Sequence, residues 1–371
     1  MDRRTVPRDH RLSPDPEEGI DTASKYAKFG ALTTKVRFLY GRRLRGEDYA
    51  RMVSMHTVGE VVSYLKRQTA WGKWLPGLDE TNARRSLIED SLQYGIINEY
   101  LKLLRFVPGC EQGFVDFYVY LAETRAILKY LTHLNMESLE EFNPAFPDLF
   151  RRKSRIDFQK LSVGKTYEDL VRAVEGTAYH TILVNFTPKA GEELDYVMLD
   201  TLLRTNYYRH LYESIARSTD PVAKKLMQQH TGEVIDLANV TRVIRFRTMG
   251  FHESIDVFKY LLPFEHQLSK KFYKKLFEAP TEQVNLELLR ASPYKKAFEG
   301  ASMRYVEENC QRYLFESDKR MFSSCGPSVY AAVSYLNLKE IAVSNLVHIG
   351  ECVRYGMAPQ EIRSFLIGAG A

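Results

Sequence analysis

The chain has 371 residues, 44% of them hydrophobic and 27% charged, with a formal charge of +5, which suits a soluble globular protein large enough for two or three cores. So mild a basic excess is far from the basic stripe of a dedicated nucleic-acid binder, and no nucleic-acid partner is expected. No apolar run approaches the roughly 18 residues of a membrane span, and Cys110, Cys310, Cys325 and Cys352 show no CxxC spacing, so a thiol-poor protein of a reducing cytoplasm is expected.

In chain order, residues 1–21 are rich in Pro and charge and lack the apolar core of a secretory signal, which reads as a disordered tail. Residues 22–44 keep a helical period through Tyr26, Phe29, Leu32, Val36 and Leu39. After the segment Tyr49–Trp71, a helix is expected over 83–106, stopped by Val107-Pro108-Gly109, and one long helix over 111–134. A loop leads to Phe158–Tyr179. Ile182–Phe186 is the best strand candidate, although helix continuation fits its length better. Helices over 194–217 and 222–249 flank Asp220-Pro221. The segment Tyr273–Tyr294 precedes helices over 301–322 and 328–355, which are separated by Cys325-Gly326-Pro327.

Those three short segments are one pattern repeated. Each opens on an aromatic (Tyr49, Phe158, Tyr273), has an apolar residue three positions on (Met52, Leu161, Leu276) and then a threonine (Thr57, Thr166, Thr281). Each closes on Thr or Ser followed two residues later by an aromatic (Trp71, Tyr179, Tyr294). Val58, Val61, Val62 and Leu65 follow the threonine at helical spacing, as do Tyr167, Leu170, Val171 and Val174. The threonines read as N-caps, with Glu60 completing a capping box and Asp169 a weaker one. Pro108, Pro221 and Pro327 recur at the same period. The organisation expected is a tail over 1–21 and three helical repeats over 22–135, 136–250 and 251–371, with long helices shared across the boundaries. The long helices carry Ala122-Glu123-Thr124, Ala238-Asn239-Val240 and Ser344-Asn345-Leu346 at matching places.

Candidate chemistry is thin. Gly164-Lys165-Thr166 resembles the end of a phosphate-binding loop, but Gln159 stands where the first glycine is needed, so Thr166 reads as a cap. His252-Glu253 lacks the second histidine of a zinc-protease helix, and no GxSxG elbow occurs. No catalytic residue, cofactor or metal is expected, and an enzyme would need a site assembled from distant residues. Basic clusters stand out instead: Arg42, Arg43 and Arg45; Arg151, Arg152, Lys153 and Arg155; and Lys270, Lys271, Lys274 and Lys275, which share one helix face. A solvated surface is the plain reading of such runs. Contact with an acidic protein or anionic headgroups is the functional one.

The opening helix leading into Thr57–Trp71, the run Val234-Ile235-Asp236-Leu237-Ala238-Asn239 with Arg242, Arg245 and Arg247, and Leu338-Lys339-Glu340-Ile341 through Asn345-Leu346 to Pro359-Gln360-Glu361-Ile362 carry a likeness. With these, the chain resembles the C-subunit family of V-type and A-type ATPases, also called the d-subunit family. The likeness spans about residues 22–366, with Glu123-Thr124-Arg125 replacing the usual Asn of the first long helix. It implies an all-α protein of three similar bundles about a pseudo-threefold axis, forming a funnel with a central cavity. It implies a non-catalytic socket of the central stalk, between the rotating shaft of the ATP-hydrolysing head and the membrane rotor ring, coupling proton or sodium translocation. The partners implied are the central-shaft proteins, the rotor ring and a membrane surface touched without insertion, in a cytoplasmic peripheral position, with Lys270, Lys271, Lys274 and Lys275 as possible shaft or lipid contacts. The rival expectation is a helical-repeat adaptor outside the rotary ATPases.

Overall fold

The computed structural model describes residues 16–81, 83–111, 116–135, 146–189, 192–250, 256–300 and 302–369, and every regular element among them is helical. The expected all-α class is therefore met, and Ile182–Phe186 falls in and just after a helix, Ala178–Asn185.

The first third contains α1 (Pro16–Gly41), α2 (Gly46–Met52), α3 (Val58–Gln68), α4 (Arg85–Leu103) and α5 (Phe117–Asn135). Because α1 begins at Pro16, the tail reading needs correcting for residues 16–21, which are helical; residues 1–15 lie outside the described residues. The second third contains α6 (Asp148–Arg151), α7 (Phe158–Val163), α8 (Tyr167–Ala173), α9 (Ala178–Asn185), α10 (Tyr196–Arg217) and α11 (Pro221–Thr248). The last contains α12 (Lys270–Glu278), α13 (Glu282–Arg290), α14 (Lys295–Phe298), α15 (Val306–Ser324), α16 (Tyr330–Arg354) and α17 (Pro359–Phe365).

The repeated threonines do the same job three times. Thr57 accepts from the Glu60 amide at 3.2 Å, Thr166 from Asp169 at 3.2 Å and Thr281 from Val284 at 3.3 Å, each satisfying an amide that a helix start leaves unpaired. The expected strength of the boxes is reversed. The Asp169 carboxylate returns to the Thr166 amide at 3.1 Å, whereas the longer Glu60 side chain passes its cap and takes the His56 amide at 2.9 Å. The Ser or Thr near the end of the first and third units also has a local role: the Trp71 and Tyr294 amides donate to the hydroxyls of Thr69 and Ser292, whereas the Thr177 hydroxyl of the second donates to the Val174 carbonyl. The closing aromatics Trp71, Tyr179 and Tyr294 are all buried.

Each closing aromatic is received by a long helix. Tyr179 donates to Glu123 of α5 at 3.1 Å, and Tyr294 to Asp236 of α11 at 2.8 Å. Trp71 has no hydroxyl; the Lys339 ammonium of α16 instead lies 3.8 Å from its ring centre. Thus α5 holds the second unit, α11 the third and α16 the first. The mid-length helices repeat the cycle, with α10 packed on α5, α15 on α11 and α4 on α16. The junction between chain ends is further tied by buried Glu99 of α4, which meets Lys73 and Lys339 at 3.3 Å and accepts from Tyr335.

The proline breaks also form a series. Glu111, just after the first, accepts from Ser218 and from the Thr219 amide at 2.8 Å. Asp220, at the second, caps α11 through the Val222 and Ala223 amides with one oxygen and takes the Ser328 hydroxyl and Val329 amide with the other. Pro221 sits in the first turn of α11, where its missing N–H costs nothing. Gly250 and Gly356, at φ +76° and +65°, end α11 and α16 in the left-handed conformation that favours glycine.

Candidate functional site

A cleft of about 950 Å3 opens between α4, α5, α10, α15 and α16. Apolar side chains such as Ile97, Leu128, Phe146 and Val347 share its walls with charged residues that these helices turn into the same space. Glu340 on α16 is the hub: it accepts from Gln93 of α4 at 2.9 Å and Tyr118 of α5 at 2.6 Å, and pairs with Arg125 of α5 at 2.7 Å. One carboxylate thereby joins three helices from opposite ends of the chain.

Charge around the cleft is balanced but sorted. Glu89 and Asp90 on α4 and Glu340 and Glu351 on α16 face Arg125 and Lys129 on α5 and Arg204 on α10, with Arg85 on α4 as the fourth cation. Lys129 pairs with Asp90, and Arg204 with Asp200 at 2.7 Å. Behind Arg204, Arg242 of α11 pairs with Asp200 and donates to the Tyr260 carbonyl at 2.7 Å and the Thr201 hydroxyl at 2.8 Å. Partial desolvation at the cleft wall pulls the Arg125 guanidinium toward deprotonation, but the Glu340 carboxylate and the Tyr118 and Tyr207 phenols together hold its pKa above the ordinary value. Burial drives the Tyr118 phenol well above its ordinary range, so it stays a donor to Glu340. His348, on the same wall, is pushed down by burial and tends to be neutral.

The cleft combines paired charges with apolar side chains. Its charges hold fixed rotamers through one another, and among the described residues no group of three His, Cys, Asp or Glu side chains is placed to bind a metal ion. Arg125 and Glu340 both fall within stretches legible in the sequence, yet neither stands out there as a site residue. The available signal is a lone charge within an apolar helical run, which says that a residue avoids the core but not what it faces.

The lysines singled out from sequence lie elsewhere. Lys270, Lys271, Lys274 and Lys275 are all exposed on α12, opposite buried Tyr273 and Leu276, and none of them lines the cleft. Lys274 pairs with Glu278 at 3.7 Å, and Lys270 lies over the Phe258 ring. The Arg151–Arg155 run is likewise exposed, as are Arg42, Arg43 and Arg45. Thr166 is a cap, and residues 251–255, with His252-Glu253, lie outside the described residues. No helix among the described residues is long and apolar enough to cross a membrane.

Among known proteins, the chain is 22% identical over 357 residues to the C subunit of the A-type ATP synthase of Methanosphaera stadtmanae, covering 92% of this chain and 89% of that protein. It is 22% identical over 346 residues to the protein of the same name from Archaeoglobus fulgidus, covering 92% and 96%. It is 23% identical over 361 residues to that of Methanosarcina mazei, covering 92% and 93%. The profile of the ATP synthase (C/AC39) subunit family matches residues 32–365. The chain belongs to the ATP synthase (C/AC39) subunit family.

Proposed function

We propose that this chain is the non-catalytic socket of a V/A-type rotary ATPase. Its three helical sectors are arranged about a pseudo-threefold axis as a funnel. The cleft receives the foot of the rotating shaft, and the body rests on the membrane rotor ring, passing torque between ATP turnover and proton or sodium translocation. The position is peripheral to the membrane and cytoplasmic.

The observation that carries the reading is the cyclic packing: the long helices α5, α11 and α16 receive the second, third and first units in turn, so the last long helix returns to the start of the chain. The Glu340 hub and the Glu99 cluster stiffen this return, and stiffness is what a torque-bearing part needs. Family membership and near-full-length similarity to the C subunits of A-type ATP synthases support it.

The test is reconstitution. The chain is expected to retain the shaft proteins and the rotor ring in a pull-down, and reversing the cleft wall with Arg125→Glu and Arg204→Glu is expected to weaken shaft retention while leaving the ring bound. Retention of neither by the wild-type chain would leave a helical-repeat adaptor as the better account.

A further inference from the structure

The three sectors share a backbone plan, so a surface feature present in one alone is not required by the fold. Counting from the opening aromatic, the four outward positions on α12 are Lys270, Lys271, Lys274 and Lys275. The same offsets fall in the first unit on Gly46, Glu47, Ala50 and Arg51, and in the second on Arg155, Ile156, Gln159 and Lys160, of which Ile156 is buried. The resulting formal charges are +4, 0 and +2. Lysines are costly to crowd on so short a helix, since like charges at i, i+4 destabilise it.

Beside this face lies a crevice of about 240 Å3, bordered by Asn239, Leu262, Phe258, Phe264, Lys270 and Tyr273. Asn239 ties Leu262 by two hydrogen bonds, from its amide to the Leu262 carbonyl at 3.0 Å and from the Leu262 amide at 2.9 Å. The first sector contains the matching construction. Asn345 ties Ile367 in the same two-way fashion, at 2.7 and 3.0 Å, beside Tyr49. There Tyr40 and Phe315 line what space remains, about 60 Å3. At the first unit Tyr40 and Phe315, one from each end of the chain, thus close the space that the third unit leaves open next to four lysines.

We propose that α12 and this crevice form a docking site for an acidic protein segment. One large apolar side chain enters beside Asn239, and carboxylates lie over Lys270, Lys271, Lys274 and Lys275. A buried apolar anchor within a charged rim is the usual anatomy of a protein hot spot. A bilayer fits less well. Among the described residues of 256–300 no large hydrophobic side chain is exposed to enter lipid. The partner's identity as another ATPase component rests on the socket reading; the surface itself does not.

Phe264 replaced by the photo-crosslinker p-benzoylphenylalanine, in the assembled ATPase complex, tests the proposal by mass spectrometry of the adduct. The expected adduct is with one protein component, in a segment where Asp or Glu residues flank a large apolar side chain. Changing the four lysines to glutamate is expected to reduce it at least tenfold with unchanged circular dichroism, and changing them to arginine to preserve it. An adduct with lipid only, no adduct in a complex that co-purifies, or an adduct indifferent to charge reversal overturns the docking site alone. Failure of the wild-type chain to co-purify with the rest of the complex overturns the socket reading, and the partner's identity with it.

Discussion

Arg125 and Glu340 meet at 2.7 Å across a gap of 215 residues in sequence (340 − 125), joining the first long helix to the last. Glu340→Ala strands Gln93, Tyr118 and Arg125 together. Arg125 is partly open to the cleft, which softens the loss of the charge pair. The loss is expected to come chiefly from the charged hydrogen bonds, about 2 kcal/mol in urea unfolding. A change below about 0.5 kcal/mol would mean the hub does not brace the wall.

Asp236 is fully buried and accepts from the Gln267 and Leu268 amides and from the hydroxyls of Tyr273 and Tyr294. Asp236→Ala leaves four donors without their acceptor in a dry site and is expected to cost about 3–5 kcal/mol. Tyr294→Phe removes one bond and is expected to cost about 1 kcal/mol. Equal losses from the two variants in thermal or urea denaturation would contradict this assignment.

The helical plan is legible in the sequence because caps, breaks and periodicity are local. Thr57, Thr166 and Thr281 each precede their helix, and Pro221 opens its own. Pairing at a distance leaves no such mark. By position along the long helices Glu123 stands opposite Asn239, but by its contacts it corresponds to Asp236. Both carboxylates accept the closing tyrosine of the next unit and amides from the loop before it: Arg155 for one, Gln267 and Leu268 for the other. Those partners lie 31 to 58 residues away, beyond any helical period. The cleft is hidden for a related reason: periodicity separates buried from unburied faces, and Arg125 is unburied whether it meets bulk water or a cavity.

Asp318 is buried beside His230, at 3.5 Å, and Asn337. Burial raises its pKa above the ordinary 3.8, and the His230 charge and the Asn337 hydrogen bond only partly offset this. The folded state therefore holds the proton more tightly than the unfolded chain, and Asp318 contributes stability below its unfolded pKa that is lost as pH rises through the folded one. Asp318→Asn removes that dependence. Its stability relative to the wild type is expected to climb as pH increases above about 4, as read from urea midpoints at several pH values; a flat difference would refute the account.

Two glycines meet different obstacles. A Cβ at Gly72 would lie 2.0 Å from the Lys66 carbonyl oxygen, a backbone atom that cannot yield, whereas one at Gly232 would meet the ring of exposed His266. Gly72→Ala is expected to cost about 2 kcal/mol or more, the scale of local strain. Gly232→Ala is expected to fall within about 1 kcal/mol of the wild type, because His266 can swing aside and alanine favours helix. Paired thermal melts decide the order.

The Trp71–Lys339 contact has an optical consequence. The chain has two tryptophans, and Trp74 stands beside the same junction, with Lys73 and Lys102 near its ring and Gly95 of α4 against it. All indole emission therefore comes from the place where the start of the chain meets its last long helix. Parting that junction would wet both rings and release the cations that lie over them. A shift in native fluorescence would then report opening of this junction, with no label attached and no background from the rest of the chain.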